Sequence, residues 1–399
     1  MSDEDPTSWP NLPPGTKSRF LLINGLRMHI LEAFPQAASA ETKPPLVVLL
    51  HGFPELAYSW RKVIGPLRNA GYHVVAPDQR GYGRTTSILG PAPTTYDDSL
   101  APFQMTNIVK DVVALVYALG YTSAASVTVV GHDFGAPVAG YCALIRPDLF
   151  KRVVIMSAPF TGAPKPSPGI RETAPESMDA KMQILADELA SLDPPRKHYT
   201  HYFSADGANE EMFEGLRGFL REYYHVKSAD WAANHPLPAP LALQGTDPGS
   251  IAHALATLPE YYVMPLWASM PNTTAQLTAD NKPGAAKWLT DAELAVYVAE
   301  YSRTSFQGGL NWYRIKNSAA YADEDCALFY GKQITVPAMF IAGRQDWGTY
   351  QLPKAVDIMR ERVCTSMEDF VLVEGAGHWV QQERPEEVVT QLLRFLSKK

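Results

Sequence analysis

The chain has 399 residues, 46% of them hydrophobic and 19% charged, with a formal net charge of −7. That length can bury a substantial core in one large domain or two, and without a basic stripe a nucleic-acid partner is excluded from the expectations. Three scattered cysteines, Cys142, Cys326 and Cys364, cannot form a disulfide framework and suit a reduced, cytoplasmic setting; no apolar run approaches the ~20 residues of a membrane span, and no secretory leader is evident.

In chain order, residues 1–16 are polar and Pro-rich and read as a loose arm. Arg19 to Ile30 holds two strand runs broken at Asn24-Gly25, a hairpin signal. The unbroken run Leu46–Leu50 reads as a buried parallel strand that stops at His51-Gly52-Phe53-Pro54-Glu55. An amphipathic stretch from Trp60 to Ala70 leads to a second such strand at His73–Ala76. A helix is expected over Thr106–Leu119, ended by Gly120, and then a β-branched strand, Val127–Val130. The next helix carries Val138, Tyr141, Cys142 and Ile145 on one face, which makes Cys142 a core residue. Arg152–Met156 is one more short strand. Regular strand–helix–strand alternation means a parallel sheet covered on both faces.

The rhythm breaks at Ala158-Pro159, where five prolines between Pro159 and Pro175 suggest a stiff linker. Residues 160–330 carry helical patterns: Met178–Ala190, Glu210–His225, and Thr290–Thr304, the last opened by a Thr290/Glu293 capping box. Between them, residues 231–289 read as a long irregular loop or lid. The α/β rhythm returns with a strand at Val336–Ala342, a helix over Leu352–Val363, a strand at Asp369–Val373 and a closing helix at Pro385–Leu396. The expected division is an arm at 1–16, an α/β core at 17–159 and 331–399, and a helical cap at 160–330.

The most informative stretch is Gly131-His132-Asp133-Phe134-Gly135-Ala136, a small-x-x-x-small sequence between a strand and a helix. That context defines a nucleophile elbow, with Asp133 where serine is usual. Two further polar residues follow strands: Asp346, in Gly343-Arg344-Gln345-Asp346, and His378, in Gly375-Ala376-Gly377-His378-Trp379. With these motifs the chain resembles the α/β-hydrolases, and among them the epoxide hydrolases, over residues 17–395. The resemblance implies an α/β-hydrolase fold with a mostly parallel, doubly wound sheet and an inserted helical cap. It also implies two cap tyrosines as proton donors. One maps to Tyr313, in Leu310-Asn311-Trp312-Tyr313-Arg314. The other maps to Tyr199, with Tyr202 as fallback, in His198-Tyr199-Thr200-His201-Tyr202-Phe203.

The order Asp133, Asp346, His378 is that of nucleophile, acid and histidine in this fold. A carboxylate nucleophile needs no base to activate it. On an acyl carbon it would give an anhydride, a poor hydrolytic intermediate; on a saturated carbon it gives an alkyl ester. His378 is then the general base that activates water against that ester, oriented by Asp346. The backbone N–H groups of Phe53 and Phe134 are the expected oxyanion donors. His51 is read as shaping the turn that aims the Phe53 amide. His198 and His201 lack a third ligand, so neither a metal nor any other cofactor is expected.

An epoxide leaves an alkoxide, which wants O–H donors, whereas a halide wants ring N–H or cationic groups. Phe134 follows the nucleophile where dehalogenases place Trp or Arg, so an epoxide, attacked with water as co-substrate, is favoured over a haloalkane or haloacid. A non-catalytic ligand-binding member of the fold is the third reading. Trp231, Trp267, Tyr261, Tyr262, Met264 and Phe306 are candidates for the pocket wall, with ordinary cap packing as the alternative for each. A homodimer is left open.

Overall fold

The structure, a computed structural model, describes residues 9–36, 43–90, 92–122, 125–166, 179–318, 320–321 and 324–398. Its strands are, in chain order, β1 (Thr16–Ile23), β2 (Leu26–Ala33), β3 (Leu46–Leu50), β4 (His73–Pro77), β5 (Thr86–Ser87), β6 (Val127–His132), β7 (Phe150–Met156), β8 (Arg196–His198), β9 (Val263–Pro265), β10 (Ala338–Gly343) and β11 (Met367–Val373).

One sheet runs β1-β2-β4-β3-β6-β7-β10-β11, with β5 paired to β2. The β1–β2 hairpin turns at Asn24-Gly25 and pairs antiparallel with itself and with β4; from β4 to β11 every neighbour is parallel. All residues of β3, β4, β6 and β10 are buried, as aliphatic runs must be when helices cover both faces. From β3 the chain first moves outward to β4, then returns to β6 on the other side. The β3/β6 boundary is therefore a topological switch point, the place where ligands bind in open α/β sheets. The His51–Glu55 turn leaves β3 there, and the Asp133 elbow leaves β6.

Between β7 and β10 lies the cap. Two short strands, β8 and β9, pair antiparallel within it, where no strand was expected. The single helix expected over Glu210–His225 is two helices, Ala208–Phe213 and Leu216–Val226, because Gly215 sits at φ +75° and ends the first run. Residues 231–289 are more ordered than their composition suggests. They hold a helix at Pro248–Leu255 capped by Asp247 and another at Met270–Leu277 capped by Ser269. Each has a capping side chain and an early proline, but is too short for periodicity to reveal. The helix Asp291–Thr304 starts with the expected capping box: Glu293 N–H donates to Thr290 Oγ1 at 3.3 Å and Thr290 N–H to Glu293 Oε2 at 2.8 Å. Of the proline-rich linker, residues 167–178 lie outside the described residues.

The arm departs from expectation at its inner end. Trp9 is buried, its indole N–H donates to Glu300 of the cap at 2.8 Å, and the Arg84 guanidinium lies 4.5 Å over its ring. Apolar area and a satisfied N–H outweigh the polar character of its neighbours. Among the described residues no helix is long and apolar enough to cross a membrane.

Candidate active site

The elbow is built by steric necessity. A Cβ on Gly131 would stand 1.8 Å from the Gly135 carbonyl oxygen, so the strand can turn into the helix Gly135–Ile145 only with glycine there. Asp133 occupies the turn at φ +52°, a conformation that costs about 1–3 kcal/mol and persists where surrounding structure enforces it. Its side chain is 15% exposed and sits at the cap–core junction. Phe53 N–H donates to Asp133 Oδ1 at 2.9 Å. The Phe134 N–H, at the start of the helix, makes no hydrogen bond among the described residues. The turn that aims Phe53 is locked by His51: Nδ1 meets the Gly52 carbonyl at 2.9 Å and Nε2 accepts from Gln79 N–H at 3.1 Å. Those bonds fix one neutral tautomer, and burial lowers the ring's pKa.

His378 stands between two carboxylates. Its Nδ1 is 3.1 and 3.2 Å from the oxygens of Asp346, and its Nε2 is 3.4 Å from Asp133 Oδ2, at ion-pair distance but outside hydrogen-bond alignment. Asp346 is fixed in turn by Gly348 N–H at 2.7 Å. Burial lowers the His378 pKa, Asp346 raises it, Lys227 lowers it and Asp133 raises it; the carboxylates prevail and hold it at about 9. Burial pushes the Asp133 carboxyl up, but His378, Lys227 and His132 pull harder and leave it well below the ordinary carboxylate range. Asp346 is lowered against burial by His378 and Lys227.

The main chain of His378 is clamped on both sides. Its N–H donates to the Lys227 carbonyl of the cap at 2.8 Å. Its carbonyl accepts from His132 Nε2 at 2.7 Å and Ser157 Oγ at 3.2 Å. The other nitrogen of His132 lies 2.6 Å from Glu55 Oε2. Both ring nitrogens of His132 therefore face acceptors, so this pair holds one proton more than a neutral imidazole beside a free carboxylate. Glu55 also accepts from the side chains of Gln381 and Gln382 at 2.8 and 2.9 Å. Glu383 accepts from three amides, Ala229 at 2.8 Å, Gly377 at 2.9 Å and Trp379 at 3.0 Å, and so ties the His378 loop to the cap.

Above the nucleophile, Tyr313 comes from the helix Gln307–Asn317, which the sequence pattern did not reveal. Its Gly308 allows that helix to touch the core, since a Cβ there would be 2.0 Å from the Gly81 carbonyl oxygen. The Tyr313 ring packs edge-on against Phe134 at 4.5 Å and Phe53 at 5.4 Å. Among the described residues its hydroxyl has no partner. Tyr199 opens the helix Tyr199–Ser204, its ring 5.9 Å from Tyr313 and its hydroxyl donating to Gln351 Oε1 at 3.1 Å. Burial, then the charge of Asp133, raises the pKa of Tyr199; burial, neighbouring phenols and Asp133 raise that of Tyr313. Both remain O–H donors. The fallback Tyr202 is not brought to the site: its hydroxyl donates to Glu211 at 2.8 Å.

The pocket candidates divide. Tyr262 packs on Tyr199 at 5.2 Å, and Phe306 faces Phe53 at 6.0 Å. Tyr261 is a buried strut whose hydroxyl donates to Asn234 at 2.8 Å, and Trp231 packs against it at 5.8 Å. Met264 is buried in β9. Trp267 is 88% exposed and lines nothing, because it follows the strand on its solvent side. Sequence reasoning missed Lys227, Gln351 and Glu383 as members of this site, and gave Glu55 no role although it lies in the quoted motif; His132, read as a packed or hydrogen-bonded neighbour of the nucleophile, is that. Among the described residues no group of three or more His, Cys, Asp or Glu could hold a metal.

The fold and this convergence of elbow, histidine and second carboxylate define the α/β-hydrolase class, and residues 45–204 match the family model described as the alpha/beta hydrolase fold. Epoxide hydrolase B of Mycobacterium tuberculosis is 34% identical over 95% of this chain and 97% of its own length. Epoxide hydrolase 3 of Siraitia grosvenorii is 31% identical over 94% and 96%. Among solved structures, an epoxide hydrolase from an endophytic Streptomyces is 32% identical and covers 96% of both chains at a TM-score of 0.70. Epoxide hydrolase A from Mycobacterium thermoresistibile is 30% identical over 96% and 98% at 0.68. The chain belongs to the epoxide hydrolase family.

Proposed function

We propose that this enzyme opens an epoxide to a vicinal diol in two steps. Asp133 attacks a ring carbon from its elbow while Tyr313 and Tyr199 donate to the oxygen that becomes the alkoxide. The product is an alkyl ester on Asp133. Esterification removes one of the two charges that hold His378 protonated, so the imidazole becomes available as a base. It then activates water to attack the ester carbonyl, with the Phe53 and Phe134 amides stabilising the tetrahedral oxyanion. Asp346 holds the ring in the tautomer that leaves Nε2 facing the water.

The observation that carries this reading is a juxtaposition: Asp133 on the elbow with the Phe53 N–H on its Oδ1, and the Tyr313 phenol packed edge-on against Phe134, next to Tyr199, with its hydroxyl unpartnered among the described residues. Phe134 has no ring N–H, and the indoles packed on Phe134 and His378, Trp312 and Trp379, spend theirs on the carbonyls of Arg80 and Tyr224 at 2.9 and 2.8 Å. The three cysteines, buried and too scattered for a disulfide framework, support a cytoplasmic location.

Single turnover in heavy-oxygen water is the test. The label enters the Asp133 carboxylate first and reaches diol only in later turnovers. Label appearing directly in the diol, with none in the protein, overturns the covalent route. Halide release from haloalkanes without diol formation from epoxides would favour the dehalogenase reading instead.

A further inference from the structure

Lys227 is the most unusual group near the site. It is 4% exposed, and its ammonium is enclosed by four rings, with Tyr262 at 4.7 Å, Tyr223 at 5.1 Å, and Tyr199 and Trp379 at 5.8 Å. Its closest polar contact is a long one, 3.4 Å to the Tyr223 hydroxyl, and among the described residues it makes no ion pair. A cage of aromatic faces favours a cation. Burial lowers the ammonium's pKa, and Asp133, Asp346 and Glu55 oppose that. The same residue's carbonyl holds the His378 N–H at 2.8 Å, so the charge is fixed relative to the imidazole.

The charge inventory gives this cation a task. Before reaction, two carboxylates (Asp133 and Asp346) face two cations (His378 and Lys227), the hydrogen-bonded His132–Glu55 pair adds no net charge, and the buried cluster is neutral. Esterification of Asp133 removes one negative charge. The cluster then carries a surplus positive charge, and the proton that leaves is the one on His378. Without Lys227 the esterified cluster would already be balanced with His378 protonated, and the imidazole would remain an acid. We propose that Lys227 is a positioning residue for ester hydrolysis, its caged ammonium driving the proton off His378 once Asp133 is esterified.

The other titratable groups facing this region are the phenols of Tyr199, Tyr223 and Tyr262, which stay neutral because burial raises their pKa values. His225 and Asp230 flank Lys227 along the chain, and Glu383 meets the His378 loop through three amides. Of these, the Glu383 carboxyl is pushed by burial up to about 7 and titrates inside the assayed range.

This inference rests on the two-step reading above. Stopped-flow tryptophan fluorescence with styrene oxide resolves alkylation from hydrolysis across pH 5.5 to 9.5. In Lys227→Met the rising limb of the hydrolysis rate moves up by about one pH unit, which is about a tenfold loss on that limb, while alkylation changes less. Lys227→Arg keeps the limb near its original place. If Lys227→Met does not fold, Lys227→Gln carries the same expectation. A hydrolysis limb that stays put in the neutral variant, or both steps falling together with no change in pH dependence, overturns the role of Lys227 alone. Absence of any covalent intermediate in the unmodified enzyme overturns the two-step reading and this inference with it.

Discussion

The two cap tyrosines are not equivalent in this structure, and that difference has a measurable size. Tyr313 has no hydrogen-bond partner among the described residues, whereas Tyr199 spends its proton on Gln351 at 3.1 Å. A donor aimed at a developing oxyanion contributes about 2.7–4 kcal/mol in hydrolases, so Tyr313→Phe slows alkylation about a hundredfold to a thousandfold. Tyr199 must first exchange its bond to Gln351, and a neutral hydrogen bond is worth a net of about 1 kcal/mol. Its contribution is smaller by that amount, so Tyr199→Phe has an effect about fivefold weaker. Replacing Gln351 with leucine releases the Tyr199 hydroxyl and brings the two penalties together. The assay is the alkylation rate under single turnover, with the three variants and the Gln351→Leu/Tyr199→Phe pair compared at one pH. A Tyr199→Phe penalty equal to or larger than that of Tyr313→Phe, unchanged by Gln351→Leu, refutes the argument.

Three further expectations follow from the geometry. The pKa of Asp133 is depressed, so its carboxylate persists as pH falls, and alkylation stays flat between pH 8 and 5. Hydrolysis needs neutral His378 and declines over the same range; pre-steady-state rates at several pH values show ester accumulating on the acid side, and an alkylation rate falling in step with hydrolysis contradicts the assignment. Glu383→Gln places an NH₂ against the three amides that Glu383 accepts from, leaving at least one unpaired, and costs about 1–3 kcal/mol in denaturant unfolding; an unchanged midpoint counts against the clamp. Gly131→Ala drives a methyl into the Gly135 carbonyl oxygen, 1.8 Å away, where no flexible side chain can yield. The expected loss is about 3 kcal/mol or more, read as insoluble expression or a lowered unfolding temperature.

Much of this site is legible in the sequence because its parts are local. The Asp133 elbow needs glycines at fixed positions, and Asp346 and His378 follow strands whose aliphatic runs announce themselves. The cap tyrosines were placed by resemblance rather than by pattern. Tyr313 lies on a helix with two glycines near its start, which depress helix propensity; Gly308 matters because Gly81 is opposite, and Gly309 because the rings of Phe53 and Tyr82 are. Lys227 and Gln351 carry no local signal at all. Lys227 ends an amphipathic helix, where a lysine ordinarily faces water, and only the arrival of Tyr199, Tyr262 and Trp379 from distant segments encloses it. The pocket expectation failed at Trp267 for a related reason: an aromatic residue in a loop has no periodic partner to say which way it faces.

The helix Asp291–Thr304 is bolted to the core along its length. Arg61 grips Glu293 at 2.8 Å near its start, Ser59 meets Tyr297 at 2.7 Å at mid-length, and Trp9 and Arg84 both reach Glu300 at 2.8 and 2.7 Å near its end. The helix bearing Tyr313 follows it after two residues. Mechanically, that phenol belongs to the foundation and not to a swinging door. An oxirane too bulky for the gap between Tyr313 and Asp133 cannot gain room by prising the roof upward. Any room must come instead from the segment 231–289 away from Tyr261 and Tyr262, which brace Asn234, Tyr199 and Lys227.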